Sequence, residues 1–155
     1  MSKLIIVPTP IGNLGDISRR GVEALKSCDV ILYIDTRVCS KLLKFVRITK
    51  KLITYRDDNE QKQISLTLSL IKDGNSVYLT TDAGTPFISD PVYRIVNACR
   101  KNNIQIEVMP GPCAAITELS ASGMPTNGFL FVGFLPKNFW LEENFSKSTK
   151  ILSIA

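Results

Sequence analysis

The sequence contains no histidine in its 155 residues. This absence excludes a histidine general base and a Ser-His-Asp or Cys-His arrangement within the chain. The cysteines lie far apart and form no CxxC pair, so neither a zinc site nor a disulfide framework has the spacing it needs. We therefore expect no metal site and free, buried thiols at all four cysteines, which are Cys28, Cys39, Cys99 and Cys113.

Long apolar runs are also absent. The longest, such as VILYI at residues 30–34, fall far short of the roughly 20 residues that span a bilayer. The N-terminus, MSKLIIVPTP, has too short an apolar run for a signal peptide. We predict a cytoplasmic protein with no membrane partner. The net charge of +5 permits a polyanionic partner without demonstrating one.

Short β-branched runs alternate with amphipathic segments along the chain. The apolar runs predict strands near residues 3–7, 30–34, 52–55, 76–80 and 104–108. Asp16 is the predicted N-cap of the first helix, and Asp90, followed by Pro91, is the predicted N-cap of a later one. Residues 61–72 have helical spacing with some strand character. Continuous apolar strands between helices predict an α/β fold, a parallel sheet with helices on both faces.

The pattern changes after the segment GMPTNG. Up to about Ser122 the elements form a complete α/β domain, whereas FLFVGFLPK at residues 129–137 is typical of the first strand of a second domain. We therefore predict an α/β domain over residues 1–123. Residues 124–155 are predicted to be a linker and the start of a truncated second domain.

Three loops have an unusual composition. PTPIGN follows the first predicted strand, TDAGTP the fourth and MPGPCAA the fifth. The carboxyl ends of parallel strands share one edge of the sheet, where ligands of open α/β sheets bind. Glycine and alanine let the backbone approach a ligand, and proline fixes the loop shape. None of the loops is a G-x-G-x-x-G or Walker A sequence. The loops predict a small-molecule site. The alternative is that proline and glycine only mark the ends of strands and helices.

Several motifs in order along the chain resemble the tetrapyrrole methylase superfamily. They are IIVPTPIGNLGDIS, DTR, TTDAGTPFISDP, MPGPCAAITELSASGMPT and FLFVGFLPK, and within the superfamily they most resemble the ribosomal RNA small subunit methyltransferase I branch. This resemblance implies two α/β domains with S-adenosylmethionine in the cleft between them, and a homodimer. It implies 2′-O-methylation of a cytidine in 16S ribosomal RNA, with that RNA as the partner.

The resemblance also implies roles for single residues. Asp35 and Arg37 of the DTR motif are the candidate catalytic residues. The residues that would line the S-adenosylmethionine site are Pro10, Asp82, Ala83, Gly84, Thr85, Cys113 and Ala114.

The chain departs from the branch around these motifs. Ile34 and Val38 replace an acidic residue and a histidine on either side of DTR, Cys113 replaces a serine, and Val92 replaces a glycine. These changes leave Asp35 as the best candidate base, with a helix N-cap as its alternative role. For Arg37 the alternatives are contact with RNA or substrate and an ion pair within the domain.

Two charged segments have alternative interpretations. KLLKFVRITKK at residues 41–51 predicts a helix with a basic face, which either contacts RNA phosphates or is only solvated. DDNE at residues 57–60 is more typical of an acidic turn than of metal ligands.

Two other functions stay open: methylation of a tetrapyrrole, and a catalytically silent protein that keeps the fold to bind a cofactor or a protein partner.

Overall fold

The computed structural model describes residues 3–56, 58–86 and 92–131. The chain forms two compact units, residues 1–112 and 113–155. In the first unit the strands are β1 (Lys3–Val7), β2 (Val30–Tyr33), β3 (Lys51–Thr54), β4 (Val77–Thr80) and β5 (Gln105–Val108). Its helices are α1 (Arg19–Ser27), α2 (Thr36–Phe45), α3 (Glu60–Lys72) and α4 (Tyr93–Lys101), and the second unit contains α5 (Ala114–Ala121).

The five strands form one parallel sheet in the order β3-β2-β4-β1-β5. The register pairs Leu4 of β1 with Val77 on one side and with Ile106 on the other. β1 therefore lies inside the sheet and β5 at its edge, although both are short apolar runs. The parallel sheet confirms the predicted α/β class.

Side chains of the central strands alternate between two apolar layers. In β1, Ile5 and Val7 face one layer while Leu4 and Ile6 face the other, and all four are at most 3% exposed. The first layer contains Leu25 of α1 and Leu42 of α2, and the second contains Ile64 of α3 and Ile95 of α4. Helices thus cover both faces, as predicted.

The connections leave β1 and β4 toward opposite faces of the sheet. α1 follows β1 on one face, α4 follows β4 on the other, and the two strands are hydrogen-bonded neighbours. Loops that diverge from adjacent parallel strands leave a crevice at the carboxyl edge, which is where open α/β sheets bind ligands. The fold therefore places a binding position between the loops after β1 and β4.

The start of the first helix differs from the prediction. Ser18, not Asp16, is the N-cap of α1, because its hydroxyl accepts a hydrogen bond from the Gly21 amide at 3.0 Å. Asp16 instead ends a short 3-10 helix, Leu14–Asp16. This extra turn lies between the loop and α1 and moves the helix start two residues along the chain.

Other expectations have different outcomes. The segment at residues 61–72 is helical throughout as α3, which removes the strand alternative. The predicted cap at Asp90 and Pro91 lies outside the described residues, as do residues 132–137 of the predicted strand FLFVGFLPK, and the described residues 129–131 form no strand. The compact units divide after Pro112, and the domain boundary near residue 123 stays a prediction.

The cysteines are free thiols, as expected. Cys28, Cys39 and Cys99 are buried, and burial raises the pKa of each thiol to about 11. Cys113 is only partly buried, so the prediction of a buried thiol is wrong at this position. Within the described part of the chain, no helix is both long and apolar enough to cross a bilayer.

Candidate functional site

The loops after β1 and β4 are joined by backbone hydrogen bonds. The Thr9 amide donates to the Gly84 carbonyl and the Gly84 amide donates to the Thr9 carbonyl, both at 3.0 Å. The buried Thr9 hydroxyl also donates to the carbonyl of Thr81 at 3.0 Å. These bonds hold the two loops together at the point where the connections diverge.

The loop after β5 is held against the other two. The Thr85 hydroxyl donates to the Pro112 carbonyl at 2.8 Å. Gly111 packs so closely on the ring of Pro8 that a Cβ on Gly111 would lie 2.3 Å from the Pro8 Cβ. The parts of the three predicted loops that lie in the first unit therefore meet at one edge of the sheet.

A groove of about 500 Å³ opens beside this loop cluster. Its volume lies within the range that is usual for small-molecule sites. One wall is the loop after β1, another is the exposed side of α2, and the third is the start of the loop after β4. The lining residues are Thr9, Pro10, Ile11, Gly12, Leu14, Arg37, Val38, Lys41, Leu42, Asp82 and Ala83.

The structure separates the predicted site residues into four groups. Pro10, Arg37, Asp82 and Ala83 line the groove, whereas Gly84 and Thr85 hold the loops to one another, Asp35 caps α2, and Cys113 and Ala114 belong to the second unit. In that unit Cys113 precedes α5, and its carbonyl accepts a hydrogen bond from the Thr117 amide at 3.0 Å. The assignment of these residues to a cofactor stays a prediction.

The sequence analysis missed the α2 wall of the groove. Val38 and Lys41 line the groove together with Arg37. The signal that identifies them is helical spacing, since Lys41 lies four residues after Arg37 and three after Val38, and residues three or four apart are neighbours on a helix surface. Val38 was considered only as a replacement for a histidine, and Lys41 only as part of a basic face.

Asp82 supplies an acceptor at the groove. Its Oδ1 accepts a hydrogen bond from the Asp35 amide at 2.9 Å, and the side chain is half-buried. The other carboxylate oxygen has no hydrogen-bond partner among the described residues, so it is available to a ligand hydroxyl or ammonium group. Ile11 and Leu14, which are partly buried, provide apolar surface beside it. This combination of an apolar wall and one carboxylate oxygen suits a small ligand that has both apolar and hydrogen-bond-donating parts.

Asp35 is the N-cap of α2 and the ion-pair partner of Arg37. Its Oδ1 accepts from the Arg37 amide at 2.7 Å, and its Oδ2 lies 2.8 Å from Arg37 Nη2. The hydrogen bond from the Arg37 side chain, followed by that from the Arg37 amide, lowers the pKa of Asp35 to about 2. Since a carboxylate with so low a pKa is a weak proton acceptor at neutral pH, the geometry favours a structural role. A catalytic role for Asp35 stays a prediction.

Replacement of Asp35 by asparagine is expected to alter how stability depends on pH. The pKa of Asp35 in the folded chain, about 2, lies below the ordinary value of 3.8. The ionised group therefore stabilises the fold above about pH 4, and this stabilisation is lost as the pH falls toward 2. Urea unfolding at a series of pH values should show a shallower decline for Asp35→Asn than for the wild type between pH 4 and 2. Parallel curves for the two proteins would mean that the ion pair with Arg37 does not exist in solution.

The last residue of the acidic segment DDNE, Glu60, has a structural role. It begins α3, is 4% exposed, accepts a hydrogen bond from the Tyr55 hydroxyl at 2.9 Å and pairs with Arg94 of α4. A buried carboxylate with both oxygens satisfied is a structural group. Among the described residues, no group of three or more histidine, cysteine or acidic side chains is placed to bind a metal ion.

The sequence matches one family along most of its length. The model of the family described as Tetrapyrrole (Corrin/Porphyrin) Methylases matches residues 3–144. Among similar proteins, "Ribosomal RNA small subunit methyltransferase I" of Vibrio cholerae is 45% identical over 152 residues, which cover 98% of this chain and 51% of that protein. The proteins of the same name from Hydrogenobaculum sp. and Rickettsia prowazekii are 49% and 51% identical, over 94% and 88% of this chain and 63% and 49% of theirs. The chain thus spans about half to two thirds of the length of these relatives.

Solved structures show the same fold. A cobalt precorrin-4 methyltransferase of cobalamin biosynthesis superposes with a TM-score of 0.65 at 20% identity, covering 78% of this chain and 50% of that one. The uroporphyrin-III-C-methyltransferase of Thermus thermophilus superposes with a TM-score of 0.62 at 22% identity, covering 80% and 54%. At these identities the likeness concerns the fold alone, and it confirms the predicted type of parallel-sheet domain.

Proposed function

The chain belongs to the tetrapyrrole (corrin/porphyrin) methylase family, and from this premise we propose that its first unit binds S-adenosylmethionine for methyl transfer to small-subunit ribosomal RNA. The reaction that we propose is 2′-O-methylation of a cytidine. The observation that carries the cofactor is the groove beside the interlocked loops, with Pro10, Asp82 and Ala83 in its walls. The names of the relatives, which are 45–51% identical, support the RNA substrate.

The residues of the groove suit the binding of this cofactor. Ala83 is exposed and has only a methyl side chain, so a ligand can approach the backbone of the second loop closely. The Asp82 oxygen that has no partner among the described residues is placed to accept from ligand hydroxyl or ammonium groups, while Ile11 and Leu14 offer apolar contact. The hydrogen bond from the Asp35 amide fixes the Asp82 side chain, so the acceptor is oriented before the ligand arrives.

The proposed chemistry demands little from acid–base groups of this chain. A sulfonium is an activated methyl donor, so alignment of donor and acceptor supplies much of the rate. The interlocked loops are suited to this task because Thr9, Gly84 and Thr85 restrain the backbone that borders the groove. In this proposal Asp35 and Arg37 position α2 and do not transfer a proton. A base that accepted the proton of the ribose 2′-hydroxyl would increase the rate further.

A second function is supported by the environment of Asp35. Its low pKa, and the presence of Ile34 and Val38 where the branch has an acid and a histidine, remove good proton acceptors beside the groove. The second function is therefore that of a protein that binds S-adenosylmethionine without transferring the methyl group. The tetrapyrrole alternative is less well supported, because the motifs VPTPIGN and DAGTP resemble the RNA branch. A homodimer in the cytoplasm stays a prediction.

Titration calorimetry followed by a transfer assay tests this proposal. We expect S-adenosylmethionine and S-adenosylhomocysteine to bind the 155-residue chain in the micromolar range. Purified small ribosomal subunits should then incorporate the labelled methyl group at a ribose. Binding without transfer would favour the silent alternative, transfer to a porphyrin would favour the tetrapyrrole reaction, and absence of heat at millimolar ligand would contradict the cofactor assignment.

A further inference from the structure

The chain has a segment without negative charge beside the groove. From Thr36 to Arg56 it contains no aspartate or glutamate, although the chain as a whole has 14. The basic residues of this segment are Arg37, Lys41, Lys44, Arg47, Lys50, Lys51 and Arg56. α2 and the turn after it contribute the first four, so positive charge is concentrated along one element.

Only Arg37 and Arg56 of this segment form an ion pair with a described carboxylate. Lys41, Lys44 and Arg47 are exposed and form no ion pair with any described residue. On α1, by contrast, Arg19 pairs with Glu23 four residues later at 2.9 Å, the arrangement that is typical of a solvated helix. Unpaired cations on α2 and the turn after it raise the local positive potential and attract a polyanion.

Exposed apolar side chains lie among the cations. Phe45 is 53% exposed and Val38 is 39% exposed. Phe45 follows Lys41 by four residues and Val38 by seven, so the three share one side of the helix. Aromatic side chains beside cations stack on unpaired nucleic-acid bases while the cations contact phosphates. We call the set Lys41, Lys44, Phe45 and Arg47 the basic face of α2.

The basic face of α2 is continuous with the groove. Arg37, Val38 and Lys41 form the groove wall, and Phe45 lies only about 6 Å farther along the helix axis than Lys41 at 1.5 Å per residue. A chain of nucleotides on this face would therefore pass directly beside the groove. Lys41 takes part in both surfaces.

We infer that the basic face of α2 binds an unpaired segment of RNA, with Lys44 and Arg47 on phosphates and Phe45 stacked on a base. This inference rests on the proposed function and specifies where its substrate lies. A single strand is favoured over a duplex because Phe45 has no base to stack on when the bases are paired with one another. The target ribose is then delivered to the groove from the side of α2.

The test compares two variants that lose the same charge. Lys44→Gln/Arg47→Gln removes two cations of the basic face, and Lys26→Gln/Lys101→Gln removes two exposed cations from α1 and α4. Binding of a fluorescein-labelled single-stranded oligoribonucleotide is measured by anisotropy over a range of salt concentrations. We expect the first variant to bind roughly tenfold more weakly at 0.1 M salt, with a salt slope smaller by about 0.7 per lost phosphate contact. The control variant should bind like the wild type.

Equal weakening in both variants would overturn the inference, because affinity would then follow net charge alone. Phe45→Ala gives an independent test, since it should weaken the binding of single-stranded RNA several-fold and leave the binding of duplex RNA unchanged. Equal effects on the two affinities would overturn the stacking contact. The Lys44→Gln/Arg47→Gln variant should bind S-adenosylmethionine with wild-type affinity, because Lys44 and Arg47 do not line the groove. Wild-type chain that binds the cofactor but not the oligoribonucleotide would overturn the RNA face and leave cofactor binding intact.

Discussion

Replacement of Gly84 by valine is expected to abolish binding of S-adenosylmethionine. Gly84 has a φ of +80°, which a β-branched residue adopts only at a cost of about 1–2 kcal/mol or more. A Cβ at this position would also lie 3.1 Å from Ile11 Cγ2 and 3.2 Å from the Pro112 carbonyl oxygen. Relief of these contacts requires movement of the backbone that bonds to Thr9, so the groove would lose its shape.

Gly74→Val is the matched control for this experiment. Gly74 also has a positive φ, +94°, but a Cβ there would meet nothing within 4 Å, and the residue follows α3 away from the groove. Both variants should lose stability through backbone strain, and only Gly84→Val should lose the heat of cofactor binding in calorimetry. An unchanged affinity in a folded Gly84→Val chain would refute the assignment of this loop to the cofactor.

Of the substitutions discussed, Gly111→Ala is expected to lower the free energy of unfolding the most. The added methyl carbon would lie 2.3 Å from the Pro8 Cβ and 2.8 Å from its Cγ. Pro8 is buried and its ring cannot rotate away, so the loops after β1 and β5 must separate. We expect the free energy of unfolding to fall by roughly 3 kcal/mol, near the upper end for overpacking. Urea denaturation with a spectroscopic signal measures this change.

A double-mutant cycle identifies the cause of the Gly111 effect. Pro8→Gly removes the atoms that the new methyl group would meet, so Gly111→Ala should cost much less in that background. An equal cost of Gly111→Ala in both backgrounds would show that the backbone conformation at residue 111, and not contact with Pro8, requires glycine.

The positions of the strands could be predicted from the sequence, but their order could not. Short apolar runs gave each strand to within about one residue, because burial of both sheet faces demands continuous apolar character. Nothing in those runs places β4 between β1 and β2. The edge position of β5 leaves Val108 51% exposed, although its run resembles that of β1, since exposure depends on which neighbours the crossovers deliver.

The candidate site could be predicted only where its signal lies in one loop. The composition of the loops after the strands indicated a ligand site, and the family resemblance named Pro10, Asp82 and Ala83, which line the groove. Val38 was missed as a lining residue, because a helix side chain faces a groove only through the packing of that helix on its neighbours. The low pKa of Asp35 likewise depends on the folded position of the Arg37 side chain.

The place of β1 in the sheet determines when the groove can form during synthesis. β1 precedes the other strands of this sheet in sequence, yet both of its hydrogen-bonding neighbours come late, since Leu4 pairs with Val77 and with Ile106. The loop that follows it waits in the same way, because the partner of Thr9 is Gly84 and that of Pro8 is Gly111. Contacts between residues so distant in sequence slow folding. β1 is therefore translated well before its partners, and the loops beside the groove are joined only once Pro112 has emerged.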